Sequence, residues 1–141
     1  MSHRPIRTII LNQEILTAPS TTTVSDAARL MKDHKTGALM VCDKKRLVGV
    51  FTERDALFRV IAAGRDPATT LLADVMTPQP QTIHPDEPFV KALRVMHNRG
   101  FRHLPVVEHG RPLGVVSARD ALDDDLYELR VELETRGDER D

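Results

Sequence analysis

The sequence predicts a mixed α/β (α+β) fold built from two similar units, and three observations carry that reading. The stretch Gly49-Val50-Phe51-Thr52-Glu53-Arg54-Asp55 recurs as Gly114-Val115-Val116-Ser117-Ala118-Arg119-Asp120, 65 positions further on. Sliding the sequence by 65 aligns 17–57 with 82–122 without a gap and gives thirteen identities in 41 pairs, where chance gives roughly two or three. Within each copy, a helix-period apolar pattern leads into two short apolar runs and then a second helical pattern. A duplication of this length implies two like units related by a pseudo-two-fold axis.

Taken in order, residues 1–7 are polar and read as loose, and Ile9-Ile10-Leu11 reads as a short strand or extended arm. Ile15-Leu16-Thr17 reads as another. Val24, Ala27, Ala28 and Met31 follow helical spacing behind Thr23, a good N-cap. Lys35-Thr36-Gly37 ends that helix. Ala38 to Cys42 and Leu47 to Phe51 read as paired strands about the turn Asp43-Lys44-Lys45. From Thr52 a helix carries Ala56, Leu57, Val60 and Ile61 on one face, until Gly64 stops it.

The connector, 65–81, is punctuated by Pro67, Pro78 and Pro80. Leu71, Leu72, Val75 and Met76 predict a short helix docked on the core. The second repeat replays the first: a helix through Phe89, Ala92, Leu93 and Met96, strands at 104–107 and 113–116 joined through Glu108-His109-Gly110, and a long last helix from Ser117. Leu122, Leu126, Leu129 and Leu133 line one side of that helix, as core or as a dimer seam. Residues 137–141 are expected to fray. The boundaries drawn are 8–64, a connector at 65–81, and 82–136.

Net charge is −1 and pI about 6.6, so no global field draws nucleic acid. Four phenylalanines, one tyrosine and no tryptophan offer little for base stacking. No apolar run is long enough to span a membrane, no secretory signal is visible, and one cysteine makes no internal disulfide. The expectation is a cytoplasmic protein.

The chemistry sits at the repeated stretch. Thr52 and Ser117 fall where an N-cap belongs, with Asp55 and Asp120 three residues on, a capping box with Asp in place of Glu or Gln. A helix start also presents free N–H groups and a positive dipole end, which can receive a phosphate. The histidines at 3, 34, 84, 97, 103 and 109 form no HxH or HExxH pattern, so no metal site is read from them. Cys42, in an apolar run, reads as an inert thiol. Arg29 and Arg94 are placed toward solvent, and Asp123-Asp124-Asp125 reads as a solvated acidic turn.

Two repeats of helix, strand, strand and helix close in Gly-apolar-apolar-Thr/Ser-x-x-Asp. With Arg102-His103-Leu104-Pro105-Val106-Val107 and Asp74-Val75-Met76-Thr77-Pro78, they resemble a tandem pair of CBS domains, a Bateman module, over residues 8–135. The resemblance implies two β-α-β-β-α units with packed sheets. It also implies regulatory binding of an adenosine compound: AMP, ADP or ATP, or else NAD or S-adenosylmethionine. No catalytic residue, required cofactor or metal is implied.

By the same resemblance Asp55 and Asp120 take the ribose, and Thr52 and Ser117 the phosphate. Thr22, Ala27, Thr36, Gly37 and Ala38 in one repeat, and Glu87, Ala92, Phe101, Arg102 and Pro105 in the other, lie near the adenine. Val50 and Val115 supply apolar contact. Arg54, Arg102, His103 and Arg119 are the basic phosphate partners. A carboxylate accepting from both hydroxyls of a vicinal diol suits the first role.

If the family's cross-repeat pattern holds, Asp120 is joined by Thr22, Ala27 and Gly37 with Arg102 and His103, while Asp55 meets Glu87. The Asp120 site is then the better mononucleotide site. The implied partners are a small adenosine ligand, a second copy in a homodimer and a separate effector protein, with no nucleic acid and no membrane. A nucleotide-acting enzyme and a nucleic-acid-binding module are the alternative readings.

Overall fold

In the computed structural model, which describes residues 4–136, the chain order is α1 (Ile6–Ile9), β1 (Thr17–Ala18), α2 (Val24–Asp33), β2 (Ala38–Asp43), β3 (Arg46–Thr52), α3 (Glu53–Asp55), α4 (Leu72–Val75), β4 (Thr77–Pro78), α5 (Phe89–Arg99), β5 (His103–Glu108), β6 (Arg111–Ser117) and α6 (Asp123–Arg136). A π-helix, Ala56–Ile61, continues α3, and a 3₁₀ turn, Ala118–Asp120, follows β6. These elements form two compact units. One comprises Glu14–Pro80 with His109–Pro112, and the other comprises, of the described residues, 4–13, Gln81–Glu108 and 113–136.

In the first-repeat unit the sheet order is β1-β2-β3-β4. β2 and β3 pair antiparallel with Met40 opposite Val50, and Lys44 and Lys45 make the tight turn with positive φ. β1 adds in parallel, with Thr17 opposite Met40. Helix α2 starts as the sequence predicts, with Thr23 Oγ1 accepting from the Asp26 N–H at 3.2 Å. Its Val24, Ala27 and Met31 pack on Leu39, Val41 and Phe51. Ala28 stays exposed.

The second helix of this repeat departs from the expected face. Only Val60 is buried, while Leu57 and Ile61 are exposed. The backbone bonds Ala62 N–H to Leu57 and Arg65 N–H to Val60 skip five residues, so the π pitch turns those two side chains away from the core.

The second-repeat unit rests on the antiparallel pair β5-β6, with Ile83 bridging Val106 on the β5 side in the place that β1 takes in the first unit. Helix α5 ends at Gly100, which takes the left-handed cap conformation (φ 74°). The start of the chain differs from expectation. Residues 6–9 are helical, and Ile6 and Ile10 join Phe89, Leu93 and Val116 in this unit's core. Arg7 N–H donates to Pro85 O and Phe89 N–H to Arg4 O, which ties the arm down. So the short helix preceding each repeat, α1 or α4, packs with the other repeat.

Arg94 is another correction. It is buried and paired with Glu132, so it does not face solvent; Arg29 does, beside Asp26. The frayed tail expected at 137–141 lies outside the described residues.

Candidate functional site

Each unit builds the same local frame. At the end of β3 the Thr52 N–H and Oγ1 both donate to Asp55 Oδ2 (2.9 and 3.1 Å), and Asp55 N–H donates back to Thr52 Oγ1 (3.2 Å). At the end of β6 the Ser117 N–H donates to Asp120 Oδ2 (2.8 Å). Both boxes form with Asp because the turn brings position N3 close to the cap backbone, within reach of the shorter acid.

The segment before the first core strand docks on the turn that follows the second strand, the start of α3 in one copy and of the 3₁₀ turn in the other. Glu53 N–H donates to Gly37 O at 2.9 Å, and Ala118 N–H reaches Arg102 O at 3.4 Å. The frame therefore joins Gly37 with Thr52 and Asp55, and Arg102 with Ser117 and Asp120.

The motif glycines, Gly49 and Gly114, sit where another segment crosses the strand. A Cβ on Gly49 would collide with the Met76 sulfur, and one on Gly114 would lie 2.7 Å from Gln13 Oε1 and 2.9 Å from Ile10 Cγ2. The residue after each glycine is then held from the side. Val50 pairs with Thr77 of β4. Val115 is held by a side chain: its N–H donates to Gln13 Oε1 (2.7 Å), and Gln13 Nε2 donates to its carbonyl (2.8 Å). One amide group thus stands in for the β4 strand of the other copy.

The two carboxylates are not equivalent. Asp55 is buried and its Oδ1 has Arg59 Nε at 3.5 Å, whereas Asp120 is half-buried. Among the described residues no side chain bonds Asp120 Oδ1, and the Asp120 carbonyl accepts from Arg4 Nη2 at 3.0 Å. Arg59 and Arg4 carried no motif signal in the sequence. Arg54 lies over the Phe58 ring, 5.2 Å from its centroid. Glu53 also escaped notice: its carboxylate stands about 3 Å from where a Gly37 Cβ would be, and its repeat counterpart is Ala118.

Of the other predicted residues, Phe101, Arg102 and Arg119 are exposed, and Thr22, Thr36, Gly37 and His103 are half-buried. Thr36 Oγ1 is turned onto its own loop, accepting from Ala38 N–H at 3.3 Å. Ala27 and Ala92 are fully buried in the cores of their own units and present no surface, while Ala38, Val50 and Pro105 are buried in strands.

The last helix also starts later than expected. After Asp120, Ala121 is extended, and α6 begins at Asp123 with Leu122 N–H capped by Asp125 Oδ2 (2.8 Å). Asp125 is therefore a buried cap and not part of a solvated acidic turn. Burial, then the neighbouring Asp43, pushes the Cys42 thiol up, which fits an unreactive side chain.

A family model for the CBS domain matches residues 6–62 and 72–126. The chain is 34% identical over 117 residues to the CBS domain-containing protein CBSX3, mitochondrial, of Arabidopsis thaliana, covering 79% of this chain and 57% of that one. It is 28% identical over 120 residues to an uncharacterized Methanopyrus kandleri protein, covering 84% and 61%. It thus spans about three fifths of either relative. Among solved structures, a CBS domain protein from Pyrobaculum aerophilum complexed with AMP superposes with TM-score 0.80 at 26% identity, covering 90% of this chain and 98% of that one. A hexameric CBS-CP12 protein from bloom-forming cyanobacteria also gives 0.80 at 26%, covering 96% and 79%. Among the described residues, no helix is long and apolar enough to cross a membrane.

Proposed function

Because the chain belongs to the CBS domain family, we propose that it is a regulatory module that binds an adenine nucleotide, senses its concentration and catalyses nothing. The observation that carries this reading is the AMP complex of the Pyrobaculum protein, whose fold matches 90% of this chain. The residues at the second motif supply the matching chemistry. Asp120 keeps one carboxylate oxygen for a ribose diol. Ser117 offers a hydroxyl at the start of the 3₁₀ turn, and Arg102 is an exposed cation on the same frame. The first motif is the weaker site, because Arg59 already engages Asp55 and Glu53 repels phosphate.

AMP is the proposed ligand, with ATP, NAD and S-adenosylmethionine as competitors for the same site. The output is a change in a homodimer or in a separate effector, and a ligand shifts such an equilibrium only by its differential affinity for the two arrangements. Calorimetry on wild type and Asp120→Ala is the test. The expected loss is roughly ten- to a hundred-fold in affinity, the equivalent of about 1.5–3 kcal/mol for a charged hydrogen-bond acceptor. Equal affinity in the variant overturns the site. ATP turnover that vanishes in Asp120→Ala favours an enzyme instead, and salt-dependent RNA binding favours a nucleic-acid module.

A further inference from the structure

We propose that His84, Asp86 and Glu108 form a site for a first-row divalent cation of the Zn²⁺ type, in which the guanidinium of Arg7 occupies the place of the ion. One nitrogen of His84 and one oxygen from each acid lie within 4.8 Å of one another. His84 Nε2 is 3.4 Å from Glu108 Oε2. Two ligands on one tetrahedral ion, each at about 2.1 Å from it, stand about 3.4 Å apart. That pair is therefore already at ligand spacing, and only Asp86 needs to close in.

The backbone beneath the cluster is fixed. Ile83 N–H donates to Pro105 O and Val107 N–H to Ile83 O, both at 3.0 Å, so His84 is held beside the end of β5, where Glu108 stands. Ligands carried on rigid elements of the fold are held more precisely than ligands on loops.

Arg7 shows that the cluster already attracts a cation. Its Nε lies 3.0 Å from Asp86 Oδ1 and its Nη2 3.3 Å from Glu108 Oε2, so both carboxylates are aimed at one positive group. Two carboxylates carry two negative charges and the guanidinium returns one. A divalent ion balances them fully.

The Arg7 pairs are exposed, so they are weak competitors. The guanidinium can leave without freeing α1, because the Arg7 backbone N–H keeps its bond to Pro85 O at 2.8 Å. His84 Nδ1 accepts the Asp86 N–H at 3.1 Å, which leaves the neutral ring's proton on Nε2. Loading the ion at Nε2 needs that proton on Nδ1 instead, so the ring gives up its bond from the Asp86 N–H when the ion enters. One imidazole with two carboxylates favours a borderline ion over Mg²⁺ or Ca²⁺, which prefer all-oxygen sets.

The test is calorimetric titration of the untagged full chain with ZnCl₂ near neutral pH, with circular dichroism to establish that each variant is folded. Wild type is expected to take one ion. His84→Ala is expected to weaken binding by at least about tenfold, the loss seen already for the outer partners of metal ligands. Arg7→Gln, by removing the competing cation, is expected to tighten it. If Arg7→Gln does not fold, Glu108→Gln serves in its place and must weaken binding. No Zn²⁺ binding by wild type overturns the proposal. So does binding indifferent to His84→Ala, which would mean scattered surface histidines, or weaker binding by folded Arg7→Gln.

Discussion

The guanidinium of Arg4 closes on the carboxylate of Asp125, 121 positions along the chain, with Nη2 2.6 Å from Oδ2. Asp125 is 1% exposed, and the same oxygen caps the Leu122 N–H. Arg4 also lies over the Phe89 ring, 5.3 Å from its centroid, and donates to the Asp120 carbonyl. One side chain therefore links the N-terminal arm, α5, the start of α6 and the backbone of the proposed ribose residue. Arg4→Met leaves a buried carboxylate with only its capping bond. The expected cost is about 2–3 kcal/mol, the range for a charge-assisted bond lost beside a buried charge. Urea denaturation measures it, and an unchanged midpoint would show that the pair contributes nothing.

Glu53 separates the two motifs electrostatically. Its carboxylate stands at the Gly37 end of the first frame, where the second repeat has Ala118. Removing it gives the first motif the neutral start that the second has. Glu53→Ala is expected to add a second AMP-binding event, or to tighten a weak one, by roughly three- to tenfold, since one like charge near a phosphate at the surface is worth about 1 kcal/mol. Calorimetric stoichiometry in Glu53→Ala with Asp120→Ala reads the first motif alone. Silence there would mean that Arg59 on Asp55 is the stronger block.

The duplication, both hairpins, the α2 stripe and the capping boxes were legible because each is set by local period and by residue pairs three or four apart. The arm was not. Ile9-Ile10-Leu11 looks like a strand, but Ile6 and Ile10 are fixed by partners 73 or more positions away, and a local window cannot contain them. Arg94 failed for the same reason: its partner Glu132 lies on another helix. The start of α6 shifted because Asp125 supplies a second cap, whereas the repeat counterpart Val60 continues the first helix. In the site, Asp120 and Ser117 were readable, while Gln13, which holds Val115 from outside the repeat, gave no signal at all.

Acid is expected to weaken the first-repeat unit through Asp43. Its carboxylate accepts Ser20 Oγ–H at 2.6 Å and Ser20 N–H at 3.0 Å, and the hydroxyl, then the amide, holds its pKa below the usual range. A group lowered on folding contributes stability that is present above its unfolded pKa, near 3.9, and is lost as pH falls through the folded value. The difference in unfolding free energy between wild type and Asp43→Asn should therefore be constant from pH 6 to about 5 and shrink below about pH 4. A difference that stays flat down to pH 2 would contradict the linkage.

The homodimer proposal needs a different seam from the leucine stripe. Leu129 packs against the core of its own unit and Leu133 is half-buried, so both are occupied within the chain. Leu122, Leu126 and Tyr127 on α6 are exposed, as are Leu57, Phe58 and Ile61 on the π-helix of the first repeat. Each set is a short apolar stretch on one helix, and such surface left in water is unfavourable by about 25 cal/mol per Å². A two-fold partner presenting the same residues would cover it, and a stable contact needs about 800 Å² per partner. Phe58→Glu/Ile61→Glu and Leu122→Glu/Leu126→Glu each place two charges on one set without touching a core residue. Light scattering at micromolar concentration is expected to give a dimer for wild type and a monomer for at least one pair, with far-UV dichroism unchanged. A monomeric wild type ends the proposal, and a dimer that survives both pairs places the seam on other residues.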